Sequence, residues 1–209
     1  MHAIPEEIKE VYRYYSAMSA DVDREHGLGG HLLFAGSLSD EAVRRVRAAN
    51  IAGAASLALS SDNAVLRRAM REGVVDFAVT TLDEALRILK NEIRKRQPVS
   101  VGIHGELAAI ESEMQERGVK PDLGYNETLR PFAGEEWLAI SLPAGDTAFA
   151  VQLEAAVMNA LPAGDALNRR WYRQSSRYLG REHRRLRTLC VDATLAEVLS
   201  PLFNVTGSG

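Results

Sequence analysis

Apolar positions along residues 76–128 follow two rhythms: short unbroken runs of strand type, and segments with an apolar residue every three or four positions. Leu82, Ala85, Leu86 and Leu89 make one helical face, and Leu107, Ile110 and Met114 make another. Thr81 offers a capping oxygen to the first of these helices, with Glu84 placed to reach back to it. Gly118 closes the second helix, and Pro98 opens a strand at 99–103. Strands are also predicted at 74–79 and 122–125. Upstream, a strand at 31–36 leads to a helix that starts at Ser39, buries Ala42, Val43, Val46 and Ala49, and ends at Gly53. A strand at 54–59 and a helix capped by Asp62, carrying Leu66 and Met70, follow. Residues 6–22 place Ile8, Val11, Tyr12, Tyr15 and Met18 on one helical side. The glycines at 27, 29 and 30 precede a strand instead of linking one to a helix, so they predict an entry loop and not a phosphate cradle.

Beyond 128 the pattern predicts a sixth strand at 137–142 and an apolar helix with Phe149, Val151, Leu153 and Met158. A long arginine-rich helix over 165–189 and a short one over 195–203, interrupted by Pro201, complete the chain. Strand and helix in alternation are the mark of an α/β fold, a doubly wound and mainly parallel sheet flanked by helices, here with an added C-terminal helical segment. The expected divisions are an N-terminal helix and entry loop (1–30), the α/β domain (31–164) and a basic helical extension (165–209).

A chain of 209 residues can withdraw roughly 70% of its unfolded surface from water, so a full core is within reach. The net charge of −3 hides an asymmetry: residues 165–209 hold eight arginines against four carboxylates, +4, which leaves −7 to residues 1–164. Cys190 is the single cysteine, which excludes an intrachain disulfide and a multi-cysteine metal site. Residues 1–7 carry no apolar signal region and no apolar run reaches membrane-spanning length, so the expected setting is the cytoplasm, away from membranes.

Three stretches are more specific: Thr81-Leu82-Asp83-Glu84-Ala85-Leu86, Ser100-Val101-Gly102-Ile103-His104-Gly105 and Arg117-Gly118-Val119-Lys120-Pro121-Asp122. In order and spacing they resemble the NAD-binding Rossmann-like domain of urocanase (urocanate hydratase), over about residues 31–128. The resemblance implies a Rossmann-like fold with NAD as cofactor, its pyrophosphate held on a GLGGMGG-type loop after the first strand. Here Gly36 is followed by Ser37-Leu38-Ser39-Asp40-Glu41-Ala42, so the glycine-rich loop is missing and carboxylates stand where the pyrophosphate would lie. The second strand ends on Ser60 and Ser61, with Asp62 beyond, where the family places an acid for the ribose hydroxyls. Gly105-Glu106 replaces a glycine-asparagine pair, and Asn126-Glu127-Thr128-Leu129 replaces the family's DQTS. By resemblance, the cofactor-contact positions are Gly36, Ser37, Ser39, Ser60, Ser61, Asp62, Gly105, Asn126 and Thr128. Cys190 lies outside the context of the family's catalytic cysteine, and no counterpart of its flanking core domain is present. The resemblance therefore implies a stand-alone, degenerate domain without urocanate hydratase activity. It would bind a small anionic ligand or nucleotide fragment, or act through association.

The strand ends also present Thr80, Thr81, His104, Glu106 and Glu127. Ser39 and Thr81 equally suit helix caps, and caps account for most of this polar set. His104, with Glu106 or Glu127, supplies the alternative: a small enzyme moving a proton on a sugar-phosphate or carboxylate. Nothing in the spacing enforces a metal site. On the arginine-rich helix, Leu167, Trp171, Tyr178 and Leu186 form an apolar side that is expected to cover the acidic body of its own chain or of a second copy in a homodimer, the plainer reading being a helix solvated on one side. The acidity of the chain as a whole weighs against nucleic acid as a partner, and Arg169, Arg170 or Arg173 can instead hold a ligand's carboxylate or phosphate.

Overall fold

The computed structural model describes residues 4–20, 27–125 and 136–204. The chain divides into two compact units, Glu10–Pro131, and Met1–Lys9 with Phe132–Gly209. A first helix, α1, spans Glu6–Ser19.

The larger unit runs β1 (Leu32–Ser37), α2 (Asp40–Ala52), β2 (Ala55–Ser60), α3 (Asn63–Arg71), β3 (Phe77–Val79), α4 (Leu82–Arg94), β4 (Ser100–His104), α5 (Leu107–Glu116) and β5 (Leu123–Gly124). Its sheet has the order β3-β4-β2-β1-β5, with every neighbouring pair parallel. The fold class is therefore the expected Rossmann-like α/β. Alternation along each strand sorts the helices onto two faces. On one, Leu32, Phe34, Leu57, Leu59, Val101 and Ile103 pack with the predicted α4 face and with Ile110 and Met114 of α5. On the other, α3 comes so close that a Cβ on Gly102 would lie 2.8 Å from Cδ2 of Leu66. A side chain there would force Leu66 and Val75 to shift.

The predicted caps form. Ser39 Oγ accepts from the Ala42 N–H at 3.2 Å, Asp62 Oδ1 from Ala64 at 2.6 Å and Thr81 Oγ1 from Glu84 at 3.2 Å. Glu84 reaches back to the N–H of Thr80, one residue earlier than a capping box requires. Near the N-terminal ends of the strands, Asn50, Ser56 and Ser100 form a buried polar line. Asn50 contacts both serine hydroxyls, and the Ser100 N–H and Oγ donate to Asp76 at 2.8 and 2.9 Å. β3 is shorter than predicted because Val74 and Val75 are buried in the turn behind α3, where the Val74 N–H bonds the Ala69 carbonyl at 2.9 Å.

The second unit runs β6 (Glu136–Ser141), α6 (Thr147–Ala160), α7 (Ala166–Tyr178), a 3-10 turn (Arg181–His183), β7 (Leu186–Val191) and α8 (Ala193–Phe203). The sixth strand does not extend the parallel sheet; it pairs antiparallel with β7, Leu138 opposite Leu189. The long helix predicted over 165–189 stops at Tyr178, because Gly180 takes φ +101° and the chain then re-enters as a strand. The C-terminal segment is thus helix, strand, helix. Trp171, fully buried, donates from Nε1 to Thr188 Oγ1 of β7 at 3.1 Å. α8 runs through Pro201 to Phe203, since a proline in the last turn removes only one backbone bond.

Candidate functional site

Ligands of open α/β sheets bind beyond the C-terminal strand ends, where neighbouring strands send their helices to opposite faces. β2 and β4 satisfy this, since α3 follows the first and α5 the second. In register, Ser60 stands opposite His104, and the Gly105 N–H donates to the Ser60 carbonyl at 3.1 Å. Ser60 Oγ accepts from the Asp62 N–H at 3.1 Å, and Ser61 and Asp62 are exposed beside it. Asp62 gives one carboxylate oxygen to its cap, and its other oxygen has no hydrogen bond among the described residues. His104 is half-buried, with Nδ1 shielded from solvent and no hydrogen-bond partner. Glu106 takes the N-cap position of α5 without a side-chain cap bond, exposed at the same rim. The sheet therefore brings Ser60, Ser61, Asp62, His104, Gly105 and Glu106 to the adjacent C-terminal ends of β2 and β4.

The end of β1 is built differently. A register shift falls between Phe34 and Gly36, and Gly36 takes φ +68°. The aromatic ring of Tyr125, just past β5, lies on this glycine: a Cβ there would be 3.0 Å from Cγ of the ring. Tyr125 is held from both sides, edge-on to Phe34 at 5.7 Å between ring centroids and with its hydroxyl donating to Glu111 at 2.9 Å. The Ser39 oxygen serves its cap, the Leu38 N–H bonds the Leu59 carbonyl at 2.8 Å, and Ser37 is exposed.

In the first turn of α2, Glu41 receives Arg45 Nη2 at 2.9 Å and the Tyr14 hydroxyl at 3.2 Å. Arg45, buried, also lies 5.0 Å from the centre of the Tyr14 ring and reaches the Gly124 carbonyl at 3.5 Å. The Arg45 hydrogen bond holds the Glu41 carboxyl below its ordinary pKa, while burial and the Glu41 charge push the Tyr14 phenol up. Tyr125, Glu111, Tyr14 and Arg45 were not singled out from sequence. The i, i+4 spacing of Glu41 and Arg45 was a readable signal; the reach of Tyr125 across to Gly36 was not.

Asn126, Glu127, Thr128 and Leu129 lie outside the described residues. Of the arginines considered as ligand anchors, Arg169 donates to the carbonyls of Met158 and Leu161 at 2.8 and 2.9 Å, and Arg173 pairs with Glu154 at 3.3 Å. Among the described residues no group of three or more His, Cys, Asp or Glu side chains is placed to hold a metal ion, and no helix is long and apolar enough to cross a membrane.

The family model of the urocanase Rossmann-like domain matches residues 12–131, more than half of the chain. The chain belongs to that family. In this urocanase Rossmann-like domain the Arg117–Asp122 stretch does structural work. Arg117 pairs with Asp83 of α4 and with Glu113, and Gly118 turns the chain at φ +64°. Asp122 then fastens β5 to β1 through Leu32.

Proposed function

We propose that this domain is a nucleotide-fragment binding module that does not take up intact NAD and does not hydrate urocanate. The observation that carries it is Tyr125 on Gly36. A dinucleotide's pyrophosphate needs bare backbone beyond the first strand, and that approach is taken by the chain's own phenol ring. Glu41, kept charged by Arg45, adds electrostatic opposition at the same helix end. The adjacent ends of β2 and β4 retain what a ribose needs: the second carboxylate oxygen of Asp62, the hydroxyls of Ser60 and Ser61, and His104.

Isothermal titration of AMP, adenosine and NAD into the full chain tests this. AMP or adenosine is expected to bind, weakened about tenfold by Asp62→Asn, with NAD no tighter than AMP. Micromolar NAD, about −8 kcal/mol, would show that the serine loop has replaced the glycine cradle. No binding of any of the three would leave association as the function.

A second reading, a small enzyme with His104 as general acid or base, is favoured by the unpartnered Nδ1. It requires a sugar-phosphate or carboxylate turnover that His104→Gln abolishes while the circular dichroism spectrum stays that of the wild type.

A further inference from the structure

We propose that the arginine surface of α7 and the turn that follows it binds single-stranded nucleic acid through its phosphates. Residues 166–191 hold eight arginines, no lysine and one carboxylate, Glu182, for +7, so the other residues carry −10. Charge this segregated matters more for backbone binding than the net −3 of the chain.

Two aromatic residues of α7 pack within the unit itself. Trp171 and Tyr172 are buried, Trp171 against β7 and Tyr172 with its ring 6.3 Å from that of Phe203 in α8. What remains outward is guanidinium. Arg173 and Arg177 are exposed one turn apart, about 6 Å along the axis, and Arg181, Arg184 and Arg185 are exposed just beyond Gly180. Arg169 and Arg187 are tied to backbone carbonyls and Arg173 shares Glu154. The side chains of Arg181, Arg184 and Arg185 have no partner among the described residues.

Two observations choose the partner. A protein interface has an apolar centre, yet among the described residues the large exposed hydrophobics of this unit are Val151 on α6 and Val198 on α8, with none on α7 or its turn. Phosphates need only charge and planar N–H forks, which arginine supplies. Tyr178 is half-buried, with the Arg177 guanidinium 5.3 Å from its ring centre.

The test is fluorescence anisotropy of a labelled mixed-sequence RNA, and the matching DNA strand, of roughly twenty nucleotides, against the full chain. Binding is expected to weaken about a hundredfold between roughly 50 and 200 mM salt if five arginines release counterions. The variant with Arg181→Glu, Arg184→Glu and Arg185→Glu should lose binding while keeping its circular dichroism spectrum. The milder Arg→Gln triple variant should lower the salt slope by about two. Absence of binding at the lower salt, or binding unchanged in the Glu variant, overturns the proposal. Displacement of the RNA by a polyglutamate peptide of equal charge overturns it in favour of an acidic protein partner.

Discussion

Asp122 and Leu32 exchange two hydrogen bonds: the Leu32 N–H donates to the Asp122 carboxylate at 2.8 Å, and the Asp122 N–H donates to the Leu32 carbonyl at 3.0 Å. β5 is only two residues long, so this side chain supplies a large share of its attachment. Asp122→Ala is expected to cost about 1.5–3 kcal/mol, the range for a hydrogen bond to a charged group. Asp122→Asn, which keeps an acceptor, should cost less. Urea midpoints at constant m-value check both.

Gly36 meets two demands, a positive φ and the ring of Tyr125. Gly36→Ala should destabilise by about 2–3 kcal/mol, of which about 1–2 is the left-handed backbone. In a Tyr125→Ala background only the backbone part should remain. A double-mutant cycle measures the difference, and equal costs in both backgrounds would show that the ring does not press on the glycine.

Glu41 gives a pH signature. Arg45 lowers its folded pKa, so its stabilisation is complete above the unfolded value, about 4.3, and is lost as pH falls through the folded value. The carboxylate is more than half exposed, so Glu41→Gln should cost less than about 1 kcal/mol at neutral pH. Wild type and variant should converge in acid. Chemical denaturation at about pH 7 and about pH 3 reads this, and a gap that persisted in acid would refute it.

Both tryptophans, Trp137 and Trp171, belong to the unit that contains β6 and β7. Indole emission should therefore follow that unit alone, while far-ultraviolet circular dichroism follows both. Trp171→Phe leaves a gap and an unpaired Thr188 hydroxyl, a cost of about 2–3 kcal/mol. It should move the Trp137 emission transition and leave the nucleotide-binding assay of the other unit unchanged.

The parallel sheet was legible because its helices announce themselves. Leu82, Ala85, Leu86 and Leu89 are all buried as their spacing requires, and Ser39, Asp62 and Thr81 cap as their chemistry requires. The C-terminal unit was misread because arginines at helical spacing continue past Gly180 into residues that pair as a strand. Losing β7 also hid the partner of β6, and so its antiparallel pairing. At the strand ends, the meeting of Ser60 with His104 follows from strand order, which periodicity does not carry.

The polar line at the other end of the sheet has a consequence for that meeting. β2 and β4 are rich in small residues, and a slip of two positions would keep every side chain on its proper face. Ser56 opposite Ser100, joined through Asn50, works as an alignment key against that slip. Because both strands advance four residues from the key, Ser60 arrives opposite His104 about 13 Å away. The register at the strand ends is thus set at a distance, by hydroxyls buried at the opposite end of the sheet.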